Sequence, residues 1–273
     1  MTAKKHTVRQ LTKAEAVLIA KRAHRKPTGA VIYNGPSMLD GAPIVVIAIE
    51  GSTNRKTGNM VQTYIIRSDM SPIEAVNNGA DASVCGNCRH RGTHEQGRTC
   101  YVNLGQGALS VWRAYLAGNY KNLAGKYHAI RQLGERRMVR LGTYGDPAAV
   151  PSIVFNWLVD GSTAHTGYTH QWRIFPHLAR YCMASTDTIR ETQEALAKGW
   201  RTFRVQTKAY QREAVKGLLE VTCPASAEAG KLITCSQCKA CSGNSRGRRG
   251  NITIAPHGGF AVMAAVRKQE HAR

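Results

Sequence analysis

Apolar and polar positions fall into blocks along the chain, and the blocks predict its elements. Ile44–Ile49 is a continuous apolar, β-branched run and Val61–Ile66 is a second. Such runs bounded by turn residues read as strands. The Gly-, Ser-, Thr- and Asn-rich stretch 50–59 between them reads as a hairpin loop. Ser71-Pro72-Ile73-Glu74 opens a short helix, with Ser as N-cap, Pro in the first helical position and Glu in the first turn; Gly79 ends it. From residue 138 the pattern becomes regular. Met138–Gly142 reads as a strand. Asp146-Pro147 then opens a helix whose apolar residues Val150, Ile153, Val154, Trp157 and Leu158 follow helical spacing up to Gly161. Ala164–Tyr168 and Tyr181–Ser185 are further strands. Thr188-x-x-Glu191 is a capping box for a helix to Lys198, with Gly199 as stop. Arg201–Val205 is a fourth strand, followed by a helix around Gln211–Leu219.

Strand and helix alternate three times. That predicts an α/β fold with a (β/α) barrel-like or parallel-sheet core, an N-terminal β-hairpin and cysteine-rich metal-binding loops. Three regions follow: a basic N-terminal arm at 1–28, with a short amphipathic helix around Lys13–Arg25; an α/β core at 29–222 with the first Cys-rich loop at 85–100; and a Cys-rich metal-binding segment and basic tail at 223–273.

Charge changes the picture next. The 273 residues hold 38 Lys plus Arg against 17 Asp plus Glu, a formal net charge of +21. The arm at 1–28 has 8 basic residues and 1 acidic; 113–140 has 7 and 1; 239–273 has 7 and 1. Stretches 29–88 and 141–238 together are neutral. A focused basic surface points to an anionic partner, and nucleic acid is the commonest large one. Arg22, Arg25, Lys26, Arg131, Arg136, Arg137, Arg246, Arg248 and Arg249 are the candidate phosphate contacts. No apolar run approaches the roughly 20 residues of a membrane span. The apolar stretch Ala14–Ala20 is short and followed at once by Lys21 and Arg22, which makes a poor signal peptide. The expectation is a cytoplasmic protein, in a bacterial or archaeal host, with no membrane partner.

In a reducing compartment cysteines serve as metal ligands more often than as disulfides. The first group is Cys85-x2-Cys88-x11-Cys100, with His90 and His94 between. The second is Cys223-x11-Cys235-x2-Cys238-x2-Cys241, enough for a complete four-sulfur site. Cys-x2-Cys puts two thiolates on one turn, in reach of one metal. Cys-x2-Cys-x2-Cys is also a four-iron cluster spacing, and zinc takes the same ligands. Two centres, zinc or iron–sulfur, are therefore expected. Cys182 stands alone and reads as an ordinary buried thiol.

The predicted strand ends carry a second set of polar residues. Asp146 follows the first strand of the regular part, Tyr168 and His170 the second, and Asp187 the third. In parallel α/β folds sites form at the carboxyl ends of strands, so these four are the candidate catalytic residues. Asp146 and Asp187 also suit caps or turns. No phosphate-binding G-x-x-x-x-G-K-[ST] loop and no G-x-S-x-G elbow is present.

These residues carry two resemblances. Cys85 to Cys100-Tyr101, Val139-Arg140-Leu141-Gly142 with Gly145-Asp146-Pro147, His165-Thr166-Gly167-Tyr168-Thr169, Ala184-Ser185-Thr186-Asp187, and Cys223-Pro224 with the triple-cysteine run are similar in layout to the phage gene product 88 domain family. That resemblance implies a phage- or plasmid-encoded protein, and with the charge it suggests a nucleic-acid-binding metalloprotein acting in replication or processing of the element's nucleic acid. A looser resemblance is to radical S-adenosylmethionine enzymes, through the three-cysteine loop and the Gly-Asp-Pro turn after the next strand. There the loop usually reads Cys-x3-Cys-x2-Cys, whereas here the last gap is eleven residues. This second resemblance implies an iron–sulfur enzyme that uses S-adenosylmethionine to modify a nucleic acid or another substrate.

Overall fold

The computed structural model describes residues 28–51, 56–92, 97–205, 220–226, 229–230, 233–245 and 250–256. The N-terminal arm to residue 27, with Arg22, Arg25 and Lys26, lies outside the described residues. So do His94, the helix expected around Gln211–Leu219, and Arg246, Arg248 and Arg249.

One ten-stranded mixed sheet organises the chain, in the order β4-β1-β2-β3-β5-β6-β7-β8-β10-β9. Its strands are β1 Gly29–Pro36, β2 Pro43–Ile49, β3 Val61–Arg67, β4 Lys121–Asn122, β5 Met138–Tyr144, β6 Ala164–Thr169, β7 Met183–Thr186, β8 Thr202–Val205, β9 Glu220–Thr222 and β10 Asn251–Ile254. The expected hairpin is present: β2 and β3 pair antiparallel, from Ile44 opposite Arg67 to Ile49 opposite Gln62. It is widened to three antiparallel strands by β1, which pairs along β2. From β3 onward the neighbours run parallel. β2 is buried on both faces from Ile44 to Ala48, which is why its sequence is a continuous apolar run rather than an alternating one.

The helices are α1 Pro72–Asn78, α2 Ala82–Cys85, α3 Leu109–Leu116, α4 Tyr127–Gly134, α5 Ser152–Asp160, α6 Ile189–Ala197 and α7 Cys235–Cys238. α1 forms as its sequence dictates: the Ser71 hydroxyl accepts from the Glu74 amide at 3.1 Å, and Gly79 closes the helix in the left-handed region. α6 keeps Thr188 as its N-cap. Glu191, however, accepts from the Asp187 amide at 2.8 Å rather than closing a capping box on Thr188.

One expectation is corrected. Asp146-Pro147 does not open the long helix. It caps a single 3₁₀ turn, Pro147–Ala149, and α5 begins only at Ser152. Pro151 is the reason: it disfavours helical backbone at Val150, which sits in the extended region. The reset turns Val154, Phe155 and Leu158 into the core and leaves Ile153 48% exposed.

Four strands, β1, β4, β9 and β10, were not anticipated. β10 inserts between β8 and β9, so residues on both sides of the second cysteine group join the parallel sheet. Arg201, at the foot of β8, holds the loop between them. Its guanidinium donates to the carbonyls of Gly243, Ala240 and Gly250 at 2.8, 2.9 and 2.8 Å. Among the described residues no helix is long and apolar enough to cross a membrane.

Candidate active site

The parallel strands end on a cavity of about 550 Å³. β5 and β6 bring the first polar residues to it. After Tyr144 the chain turns through Gly145, whose φ is 83°, and Asp146 follows. Just before this turn β5 carries a bulge against β3, where Gln62 faces Arg140 and Tyr64 faces Tyr144. The Thr63 hydroxyl patches the interrupted ladder, donating to the Arg140 carbonyl at 3.2 Å and accepting from the Gly142 amide at 2.8 Å. Bulges of this kind redirect side chains beside functional sites.

Asp146 uses both carboxylate oxygens on backbone amides. Oδ1 accepts from Ala148 at 2.9 Å and Oδ2 from His170 at 2.8 Å. Burial raises its pKa, against the opposing pull of those amides and of Thr169. Asp146 thus ties the end of β5 to the end of β6 and sets where His170 starts. Tyr168 is half-buried in the cavity wall, its ring edge-on to Phe203 at 4.6 Å. Burial raises its pKa first, with Cys241, to which its hydroxyl bonds, adding to the rise.

His170 and Asp187 meet a third residue, His90, from the first cysteine loop. His90 Nε2 lies 2.8 Å from Asp187 Oδ1, and His90 Nδ1 lies 2.8 Å from the Thr99 hydroxyl. The two imidazoles stand edge to face with centroids 5.6 Å apart. The Asp187 carboxylate is held down at about 2. Burial opposes this, but the His90 hydrogen bond and the charges of His170, His90 and Arg89 outweigh it.

All seven grouped cysteines line the same cavity; Cys182 does not, and it is fully buried elsewhere, as expected of an isolated thiol. The first group is set by α2 and the loop after it. The Cys100 amide returns to the His90 carbonyl at 2.8 Å, and the Gln171 side chain at the end of β6 donates to the Cys85 carbonyl at 3.2 Å. The second group is tied down at three points. The Cys223 amide donates to Thr253 of β10 at 2.7 Å, the Cys235 amide to Lys56 at 2.8 Å, and the Gly167 amide of β6 to the Cys241 carbonyl at 3.1 Å. Burial pushes the Cys88 and Cys241 thiols up to about 12. Cys85 is raised well above its usual value, first through burial and then through the neighbouring Cys88 and Cys100. Cys100, Cys223 and Cys235 are raised by burial too. Such groups give up their protons to a metal rather than to water.

Among the described residues, His90, His170 and Asp187 form a His/Cys/Asp/Glu trio whose ligand atoms lie within 4.8 Å of one another.

The sequence placed Asp146, Tyr168, His170 and Asp187 on one wall, and the cavity gathers all four. Thr99 has no sequence signal, and Arg140 stands in the sequence only as part of the Val139–Gly142 match and of the basic stretch 113–140. Arg140 reaches into the cavity from β5 and donates to the Tyr101 hydroxyl at 2.9 Å, while its Nε meets no partner. The candidate phosphate contacts in the described chain lie elsewhere and are partly engaged. Arg131 pairs with Glu135 at 3.0 Å and Asp160 at 3.2 Å, and Arg137 donates to the Glu50 carbonyl; Arg136 is exposed. Compared with family models, curated proteins and solved structures, the chain matches none.

Proposed function

We propose that the protein is an iron–sulfur enzyme that works in the cavity at the carboxyl ends of its parallel strands. The observation that carries this reading is the convergence of seven thiols on one cavity rimmed by titratable strand-end residues. A purely structural metal staple has no need of that cavity. The first group offers three thiolates, so a cluster held there keeps one open position for substrate or cofactor, whereas the four of the second group close their own shell. When bound, such clusters supply one-electron chemistry.

The chain's own residues do the rest. Asp146 fixes the β5 and β6 ends relative to each other. Tyr168 and Arg140 line the wall between the two cysteine groups, and Arg140 offers a guanidinium to an anionic part of the substrate. His170 and Asp187 stand at the rim, where a proton can be held. β3, β5, β6, β7 and β8 follow one another in space as in sequence, an order that a barrel-like core would share.

The net charge of +21 favours a polyanionic substrate or partner, with nucleic acid the largest candidate. S-adenosylmethionine belongs to this reading through the looser resemblance only. Purification without oxygen, followed by elemental analysis and a visible spectrum, is the test. Iron with acid-labile sulfide and a broad absorption bleached by dithionite is expected. A colourless protein containing zinc alone would overturn the reading and return the cysteines to a structural role in a nucleic-acid-binding protein.

A further inference from the structure

The trio His90, His170 and Asp187 lies outside the cysteine ligand set. We infer that it is a separate binding site for a single divalent transition-metal ion, zinc or ferrous iron by its ligand chemistry, beside the sulfur centres. His90 Nε2, a His170 ring nitrogen and an Asp187 carboxylate oxygen all lie within 4.8 Å of one another. An ion placed among them replaces the His90–Asp187 hydrogen bond of 2.8 Å with two coordinate bonds. Two imidazoles and one carboxylate suit zinc and ferrous iron and leave further positions for water or substrate.

The surroundings are those of a ligand set held in place. With the ion on Nε2, the ring's proton sits on Nδ1 and is donated to the Thr99 hydroxyl, already 2.8 Å away. That is the outer contact which fixes a metal-bound histidine's tautomer. Glu191 anchors the Asp187 amide and Asp146 anchors the His170 amide, so both backbone positions are fixed from outside the trio. Arg89 Nε faces the second Asp187 oxygen at 3.9 Å and balances the carboxylate from the side away from His90. The site is also reachable. His170 and Asp187 line both the large cavity and a smaller one of about 160 Å³, and His90 lines the large one, so the trio is open to it.

The test uses the full chain, stripped of metal under reducing conditions and titrated with Co²⁺ by equilibrium dialysis and visible spectroscopy. Cobalt on thiolates shows intense sulfur-to-metal charge transfer; cobalt on nitrogen and oxygen shows only weak bands. One equivalent of the weak kind is expected. It should bind at least about tenfold more weakly in His170→Ala and Asp187→Asn, with the sulfur bands unchanged. Thr99→Val should weaken it by about 10–100-fold. His170→Ala removes no ring hydrogen bond among the described residues, and circular dichroism checks that each variant is folded. Equal binding by folded wild type and variants would overturn the inference, as would sulfur bands that fade in His170→Ala, since the imidazoles would then belong to a cysteine centre. A weak-band equivalent without any sulfur bands would uphold this site and sink the proposed sulfur centres instead.

Discussion

Gly145 and Gly199 have nearly the same backbone, with φ of 83° and 79°, yet their surroundings differ. A Cβ on Gly145 would lie 2.6 Å from Cβ of Ile65 and 2.7 Å from its carbonyl oxygen, whereas one on Gly199 would meet nothing within 4 Å. Gly145→Ala should therefore cost about 2–5 kcal/mol, strain and overpacking together. Gly199→Ala should cost only the left-handed backbone term of about 1–2 kcal/mol. Thermal unfolding of the two variants checks the difference, and equal losses would show that the Gly145 turn can relax. A second residue-scale case is the ion pair of Arg204 with Glu220, 2.5 Å apart with both side chains nearly buried. Arg204→Met leaves a buried carboxylate without its partner and should cost about 3–5 kcal/mol, while adding Glu220→Leu should recover most of the loss. Urea unfolding of the single and double variants reads this directly.

At the scale of elements, burial decides which apolar residues matter. Ile47 of β2 is completely buried between β1 and β3, whereas Ile153 of α5 is 48% exposed. Ile47→Ala should lose about 2–5 kcal/mol and Ile153→Ala no more than about 0.5 kcal/mol. A sequence reading that starts the helix at Asp146 would expect both to be costly. Arg201 is the corresponding point for the second cysteine group. Its three carbonyl partners belong to the loop that carries Cys241 and leads to β10, so Arg201→Leu orphans them together. A loss of about 3 kcal/mol is expected from buried groups left unsatisfied; if the second group holds a metal, that metal should pass faster to a chelator. Unchanged chelation kinetics would show that the loop holds its cysteines without the arginine.

For the whole molecule, the arrangement separates chemistry from charge. The cavity lies at the ends of β5 to β8, in a part of the sequence that is close to neutral. Much of the excess charge belongs to the arm and the tail, outside the described residues. If nucleic acid is the partner, its binding should weaken steeply with salt, since each phosphate neutralised releases a counterion. Binding measured across a salt series should then lose several-fold affinity on deleting residues 1–27, while metal content stays the same. Affinity that does not change with salt would remove nucleic acid from the reading and leave a small anion at Arg140.

The sequence by itself determined a good deal. The β2 and β3 runs, the Ser71 cap, the alternation from β5 to β8 and the two cysteine groups are local signals, written in apolar runs, caps and spacings that neighbours in the chain can satisfy. The strand-end rule also located Asp146, Tyr168, His170 and Asp187, because a parallel sheet fixes which ends converge. Other features depended on the tertiary structure. β1, β9 and β10 are short or Gly-flanked and become strands only because a neighbour's open edge accepts their hydrogen bonds. The meeting of His90 with His170 and Asp187 joins residues up to 97 positions apart. No sequence period encodes it; it exists because the first cysteine loop folds back over the ends of β6 and β7.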